Sequence, residues 1–326
     1  MKYFNKLILF LFIGLGFHVT LKAQVASYAF AQSSGTYTPI TGGTVIVSGT
    51  VSLDSYVSGS LTIPSFTYNG IAYTTAFVTS NGFLNLGGSA PSAFTTTAVS
   101  TTTGSGQSLA LFSADLDRVN TNASTEIRFE TVGFETIFQW TQFKRFGVTE
   151  SFDFQARLNN STGLITFVYK LNSGPGTSTS YQPQVGIRTS TTDYNNRLVN
   201  TTAGVNWNTS LAGINSSSAA RFTGSVTDPR SFVTGQTYTW TPPTPCTGTP
   251  EAGTISGALI RPTCGGSAPS PATATATGFS TGVSSLVFQW ETSLDNMMWS
   301  NAVGASATTA TYTLPNHTAG QIEYYR

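Results

Sequence analysis

The run Asp115-Leu116-Asp117-Arg118-Val119-Asn120-Thr121-Asn122 follows the apolar stretch Leu109-Ala110-Leu111-Phe112 and concentrates oxygen-bearing side chains on what reads as a loop. Calcium takes about six to eight oxygens, which alternating Asp and Asn together with backbone carbonyls can supply. Asp115, Asp117, Asn120 and Asn122 are therefore the candidate metal set, and calcium is the one cofactor the sequence suggests. The run lacks the glycine and the terminal glutamate of an EF-hand loop. Asp and Asn also form turns in their own right, and the competing reading has Asp115 and Asp117 capping turns and holding Arg118.

Other chemistries find less support. Nucleophilic triads need an imidazole base, and the two histidines are His18 and His317, at opposite ends of the chain. The same shortage argues against His-rich zinc or iron sites, and Cys246 and Cys264 match no zinc spacing. Glycoside hydrolysis needs a pair of carboxylates and is left open by the inventory. Glu126 and Glu130 share a strand face with Arg128 between them, a pattern suited to a solvated charge ladder. Trp140, Phe143 and Phe146 could stack on a sugar, but Trp140 has the strand parity of Phe138, which points both inward. Parity breaks near Gly147, so one of Phe143 and Phe146 is expected to be exposed. Trp207, in Val205-Asn206-Trp207-Asn208, falls in an irregular stretch and is the candidate aromatic for ligand contact.

Lys2 and Lys6 precede an apolar run from Leu7 to Phe17 that closes on Leu21-Lys22-Ala23, the plan of a secretory leader cleaved near Ala23. The run is shorter than the roughly 20 residues a bilayer span requires. Charged residues are 9% of the chain, against about 25% in an ordinary domain, so Thr, Ser, Asn and Gly must solvate the surface. Removing the leader's three lysines from the fifteen bases leaves twelve against fourteen acids, a net of −2. Nothing in that balance recruits nucleic acid or an anionic membrane. The expected partners are an extracellular protein or a glycan, with no membrane insertion once the leader is removed. The expected location is outside the cell, either secreted or on its outer surface.

Beyond the leader the pattern is short alternating runs between turn dipeptides, which predicts an all-β protein. Asn69-Gly70 and Asn81-Gly82 each separate two apolar runs and predict two-residue hairpins. Further strands are predicted over Thr125–Glu130, around Phe138 and Trp140, over Phe152–Leu158 and Leu164–Lys170, at Val185 and Ile187, and at Tyr238 and Trp240. The alternating polar residues Asp153, Gln155 and Arg157 predict one wet face. Segments 95–108 and 172–182, rich in Thr, Ser and Gly, read as mobile surface loops. Thr241-Pro242-Pro243-Thr244-Pro245 breaks the pattern. These features predict a leader over 1–23, a large jelly-roll-like β-sandwich over 24–240, and a Pro/Thr-rich linker over 241–250. A smaller sandwich over 251–326 carries strands at Leu286–Trp290 and Thr309–Leu314.

Tyr28 to Pro39, Val78-Thr79-Ser80-Asn81-Gly82-Phe83-Leu84, Leu111 to Asp117, Phe138-Gln139-Trp140 and Thr162 to Phe167 resemble the opening domain of secreted modular surface proteins of Bacteroidetes type. The resemblance implies following fibronectin or immunoglobulin-like repeats and a sorting domain for type IX secretion. Cys246 to Thr254 and Trp290 to Tyr312 resemble the immunoglobulin-like repeat of those proteins. In such a sandwich a Trp packs on an inter-sheet disulfide and a corner Tyr stands two residues before the second Cys. Tyr325 would then precede a cysteine at 327, making the module incomplete at its C-terminus and leaving that residue as the partner of Cys264. The spacing from Cys264 to Trp290 is longer than the compact immunoglobulin one. The alternative is a Cys246–Cys264 bridge, which would contribute about 3 kcal/mol. The function expected is a non-catalytic extracellular module for adhesion, matrix attachment or display of downstream domains. The alternatives are an accessory region of a secreted hydrolase and a carbohydrate-binding module.

Overall fold

The computed structural model describes residues 24–102, 106–174, 181–200, 204–244, 253–257, 273–279, 287–315 and 322–326. The chain divides between Thr241 and Pro242 into two units. The first is built from β1 (Ala29–Ser34), β2 (Thr44–Ser48), β3 (Leu61–Tyr68), β4 (Ile71–Val78), β5 (Phe83–Leu86), β6 (Gln107–Ser113), β7 (Leu116–Arg118) and β8 (Glu126–Val132). It continues with β9 (Glu135–Arg145), β10 (Ser151–Asn159), β11 (Ile165–Ser173), β12 (Gln184–Arg188), β13 (Tyr194–Leu198), β14 (Leu211–Ala212) and β15 (Gln236–Thr241). One sheet runs β1-β15-β11-β10-β9-β8-β2, with β7 pairing on β9, and the other runs β14-β13-β12-β6-β5-β4-β3. The fold is the all-β sandwich that alternation predicts.

The sheets enclose a core of large aromatics, among them Phe112, Phe138, Trp140, Phe154, Phe167, Tyr169 and Trp240, all fully buried. Aromatic rings fill the space between sheets about 10 Å apart, and a buried Trp N–H or Tyr O–H then needs an acceptor. Here the acceptors lie on the opposite sheet. Trp140 Nε1 in β9 donates to the Thr79 carbonyl just past β4 at 2.8 Å, and Tyr169 Oη in β11 donates to the Leu111 carbonyl in β6 at 2.8 Å. Trp240 Nε1 in β15 donates to Asn195 Oδ1 in β13 at 3.1 Å. These bonds fix how the two sheets face each other, which apolar contact alone leaves loose.

The outer faces differ from expectation. The polar residues of β10 are not wet: Asp153 is 4% exposed and Gln155 fully buried, because residues 35–42 cross the outside of the first sheet as a strap. Gly35 N–H donates to the Gly235 carbonyl just before β15, and the Tyr37 ring lies 5.8 Å from Lys170 Nζ on β11. Gln155 and Arg157 on β10 donate to the Thr38 carbonyl at 2.9 and 3.2 Å. Gln139 on β9 accepts from Ile40 N–H at 2.9 Å, and Arg128 on β8 donates to the Thr41 and Gly42 carbonyls at 2.6 and 2.8 Å. Seven extended residues reach about 24 Å, enough for the roughly 19 Å of four interstrand steps. The strap therefore advances about one strand for every two residues.

A second segment covers the other sheet. Gln184 on β12 accepts from the N–H groups of Val99 and Ser100 at 2.8 and 3.1 Å, and Arg188 donates to the Val99 and Thr101 carbonyls at 2.9 and 2.5 Å. Ala98 and Val99 pack on Phe83 and Ala110 as a small outer cluster. The described part of 95–108 is thus fastened rather than loose, and 172–173 belong to β11. Composition misleads here because hydroxyl-rich segments can be held by side chains of the sheet beneath them, which no local pattern reveals.

The two Asn-Gly dipeptides take different turns. Asn69 and Gly70 both have positive φ, 53° and 72°, and close β3 to β4 with the predicted two-residue turn. At the second, Val78 pairs with Leu84 and Thr79 N–H bonds the Phe83 carbonyl at 3.0 Å, leaving Ser80, Asn81 and Gly82 as a three-residue loop. Only Gly82 is left-handed there, with φ 72°.

In the second unit, β16 (Thr254–Gly257), β17 (Thr273–Thr277) and β20 (Thr311–Thr313) form one sheet, and β19 (Ser300–Asn301), β18 (Glu291–Ser293) and β21 (Tyr324–Tyr325) another. Trp290 is buried and stacks on Tyr312 at 5.8 Å, with its indole N–H donating to the Thr309 carbonyl at 2.8 Å. The strand expected over Leu286–Trp290 begins instead at Glu291. Cys246, Cys264 and the leader lie outside the described residues.

Gly70 and Gly82 share a φ of 72°, but a Cβ on Gly70 meets nothing within 4 Å whereas one on Gly82 falls 2.3 Å from the Phe112 carbonyl oxygen. Gly70→Ala is expected to cost about 1–2 kcal/mol, the left-handed penalty alone. Gly82→Ala is expected to cost clearly more, about 3 kcal/mol or above, since backbone must shift as well. Denaturant titration of the two variants checks the order.

Candidate functional site

The Asp/Asn run lies at one end of the first unit, where β6 passes through Ala114 and Asp115 into the short strand β7. Pairing of β7 with β9 sets Asp117 opposite Lys144 and Arg118 opposite Phe143. Asp115 is anchored through its backbone, its N–H donating to Tyr181 Oη at 3.2 Å and its carbonyl accepting from Phe146 N–H at 3.0 Å. Burial, then the neighbouring carboxylates of Asp54 and Asp117, hold the Asp115 carboxyl above its ordinary range.

The amide groups of two of the four candidate metal residues are engaged with neighbouring side chains and backbone. Asn120 directs its amide N–H groups to Ser124 Oγ at 3.1 Å and to Gln142 Oε1, and Asn122 Oδ1 accepts from Ser124 N–H and Oγ at 2.9 and 2.6 Å. The bonds to Ser124 are local turn bonds of the kind Asn forms readily, whereas the bond to Gln142 reaches across to β9. Among the described residues no group of three or more His, Cys, Asp and Glu is arranged to hold a metal ion. The competing reading is corrected in one respect: Arg118 is held not by the aspartates but by the carbonyls of Gly49, at 2.8 Å, and Val51.

Two fasteners at this end escaped sequence reasoning. Asn81, read as a turn former, is 1% exposed. Its Nδ2 donates to the Ala93 and Thr95 carbonyls at 3.1 and 3.2 Å, and its Oδ1 accepts from Leu116 N–H at 3.3 Å, tying the β4–β5 loop to β7. Arg145 and Glu150 form a buried two-point ion pair at 2.6 and 2.7 Å, and Arg145 also donates to the Thr223 carbonyl at 3.2 Å. The guanidinium lies over the Phe222 ring at 5.3 Å. Such a pair roughly offsets its own desolvation and chiefly fixes geometry, here the turn between β9 and β10. The spacing of an Arg and a Glu five residues apart carries no signal of this kind.

Trp207 requires correction. It is 1% exposed, on a single helical turn of residues 207–209 capped by the bond from Asn206 N–H to Thr209 Oγ1 at 2.9 Å. Its ring lies among Tyr169, Phe232 and Tyr238 at 5.2, 5.1 and 5.8 Å, and its N–H is shared by the carbonyls of Arg221 and Arg230 at 3.0 and 3.1 Å. No face is left for a ligand. The surrounding residues are irregular, which removes any parity signal, yet they fold inward to close this end of the core. Trp140 and Phe143 are fully buried, and Phe146, past the parity break, is 55% exposed. Glu126 and Arg128 form an ion pair on one strand face, but at 14% and 15% side-chain exposure that face is largely covered rather than solvated. A hollow of about 180 Å³ lined by Leu171, Ser225, Val226, Phe232 and Thr234 is below the range of about 300–1,000 Å³ usual for ligand pockets.

The profile of the NIDO related family matches residues 27–242, spanning the first unit almost from end to end. Residues 251–326 match a domain of unknown function, DUF8696. The chain belongs to the NIDO-related family. No curated protein and no solved structure matches the chain.

Trp207→Ala is expected to lower stability by about 3–5 kcal/mol through the cavity it leaves, read as a fall in denaturation midpoint. Asp115→Asn tests the acidic end. Because the folded state raises this pKa, it binds more protons than the unfolded state just above the usual carboxylate range, so ionised Asp115 opposes folding as pH rises. The variant is therefore expected to melt higher than the parent at pH 7, and the two melting temperatures are expected to converge near pH 3.

Proposed function

We propose that the chain is a non-catalytic module of an extracellular protein, serving adhesion, matrix attachment or display of the domains joined to it. The observation that carries this reading is the covering of the middle of each outer face of the first unit. Residues 35–42 lie over β8 to β11 and residues 98–101 over β12 and its neighbours, while β1, β3 and β14 keep exposed residues. Side chains of types that elsewhere do chemistry, Arg128, Gln139, Gln155, Gln184 and Arg188, are used here as fasteners on the backbone of covering segments. A sheet used in this way presents loops and a rigid body rather than a cleft. Membership of the NIDO-related family and a second β unit in series support the same reading.

Export through the N-terminal leader belongs to this proposal, with mature protein beginning just after Ala23. The purified chain, coated on beads, is expected to be retained on surfaces bearing extracellular proteins, while turnover of glycoside and ester substrates stays at the buffer rate. Hydrolysis that disappears in Asp115→Asn or Asp117→Asn would overturn the proposal in favour of an enzyme. Saturable binding across a glycan array in place of protein-coated surfaces would reassign the module to carbohydrate recognition.

A further inference from the structure

The chain has three methionines: Met1, in the expected leader, and the adjacent pair Met297 and Met298. The pair sits at the tip of the β18–β19 hairpin, and its side chains are 81% and 80% exposed, beside Leu294 at 68%. Methionine is ordinarily a core-filling residue, because its flexible thioether adapts to irregular gaps. Two of them side by side in water at a hairpin tip contribute nothing to the Trp290–Tyr312 core of this unit.

The tip is nevertheless ordered. Asp295 Oδ1 accepts from the backbone N–H groups of both Met297 and Met298 at 2.8 Å and from Ser293 Oγ at 2.9 Å. Asn296 takes the left-handed conformation with φ 55°, as Asn tolerates. Below the tip, Thr292 pairs with Ser300 and Glu291 with Asn301. The conformation is thus set by a carboxylate cap and a ladder, and neither sulfur takes part. Trp299, the other oxidisable side chain nearby, is partly buried and has the Arg326 guanidinium 4.3 Å over its ring.

We propose that Met297 and Met298 form an oxidation site that takes hydroperoxides as its substrate class and changes the chemistry of the tip without unfolding the domain. A sulfur lone pair attacks one peroxide oxygen, the S–O bond forms, and the O–O bond breaks. The departing oxygen keeps the electron pair and takes up the proton. Each sulfur is oxidised by two electrons to a sulfoxide, and the peroxide is reduced to water or an alcohol. Accessibility governs the rate of this step. The product is a polar, chiral group where an apolar one stood, so the tip passes from greasy to hydrated. This inference does not depend on the adhesion reading above.

The test treats the full chain with hydrogen peroxide alongside a free methionine peptide and follows both by mass spectrometry with peptide mapping. Both sulfurs are expected to gain one oxygen each at a rate within about threefold of the free peptide, as for fully accessible thioethers. The thermal transition of the oxidised chain is expected to superimpose on that of the untreated one, and Met297→Leu/Met298→Leu is expected to gain no oxygen in this segment. Oxidation about tenfold slower than the peptide, modification of one sulfur alone, or a lowered melting temperature after oxidation would each overturn the proposal.

Discussion

Covering a β-sheet on both faces imposes one demand above all others: every polar group caught beneath the cover must find a partner, because an unmet one costs about 1–3 kcal/mol. In the first unit that demand organises both outer surfaces. The strap over residues 35–42 and the cover over residues 98–101 stay in place because amides and guanidinia of β8, β9, β10 and β12 reach their backbones. Those same side chains tolerate burial because the covers are there. Neither arrangement exists without the other. Satisfaction is incomplete in places: Asn85 Nδ2 and Asn196 Oδ1 are buried without a partner.

The low content of ionisable residues follows the same logic. A buried charge must be paired and hydrogen-bonded to be tolerated, whereas Gln, Asn, Ser and Thr need only hydrogen bonds. The unit accordingly fastens itself with Gln and Asn amides and with guanidinia bonded to backbone carbonyls, as at Arg128 and Arg188. It also holds a deeply buried ion pair at Arg145–Glu150, where two contacts to one carboxylate are joined by a carbonyl contact. Inside the sandwich the aromatics carry a double role, filling space and donating across to the opposing sheet. Between them, these devices engage Arg128, Gln139, Gln155, Gln184, Arg188 and the Arg145–Glu150 pair in holding the fold, which is what supports the scaffold proposal.

The calcium and Trp207 expectations were both read from residue type on irregular segments, where residue type does not settle direction, and Trp207 turned out to face inward. Where the chain lacks a repeating period, the direction of a side chain is set by contacts distant in sequence. Asn120 is directed by Gln142, twenty-two residues on, and Trp207 by Phe112, Tyr169 and Tyr238. Phe143 and Phe146, by contrast, sit at the end of a periodic strand, and the break in that period foretold that one of them would face water.

From the sequence alone came the all-β class, the hairpin at Asn69-Gly70, the position of β8 to β12 and β15, the inward set Phe138, Trp140, Phe152 and Phe154, and the change of character near Pro242. All of these rest on period-two alternation or on turn chemistry, which act over a few residues. Tertiary structure alone decided the three-residue loop at Asn81-Gly82, the burial of Asp153 and Gln155, the path of the strap, and the enclosure of Trp207. Alternation tells which side chains share a face, but whether that face meets water or another stretch of the chain depends on segments up to a hundred residues away or more, and no local pattern encodes that distance.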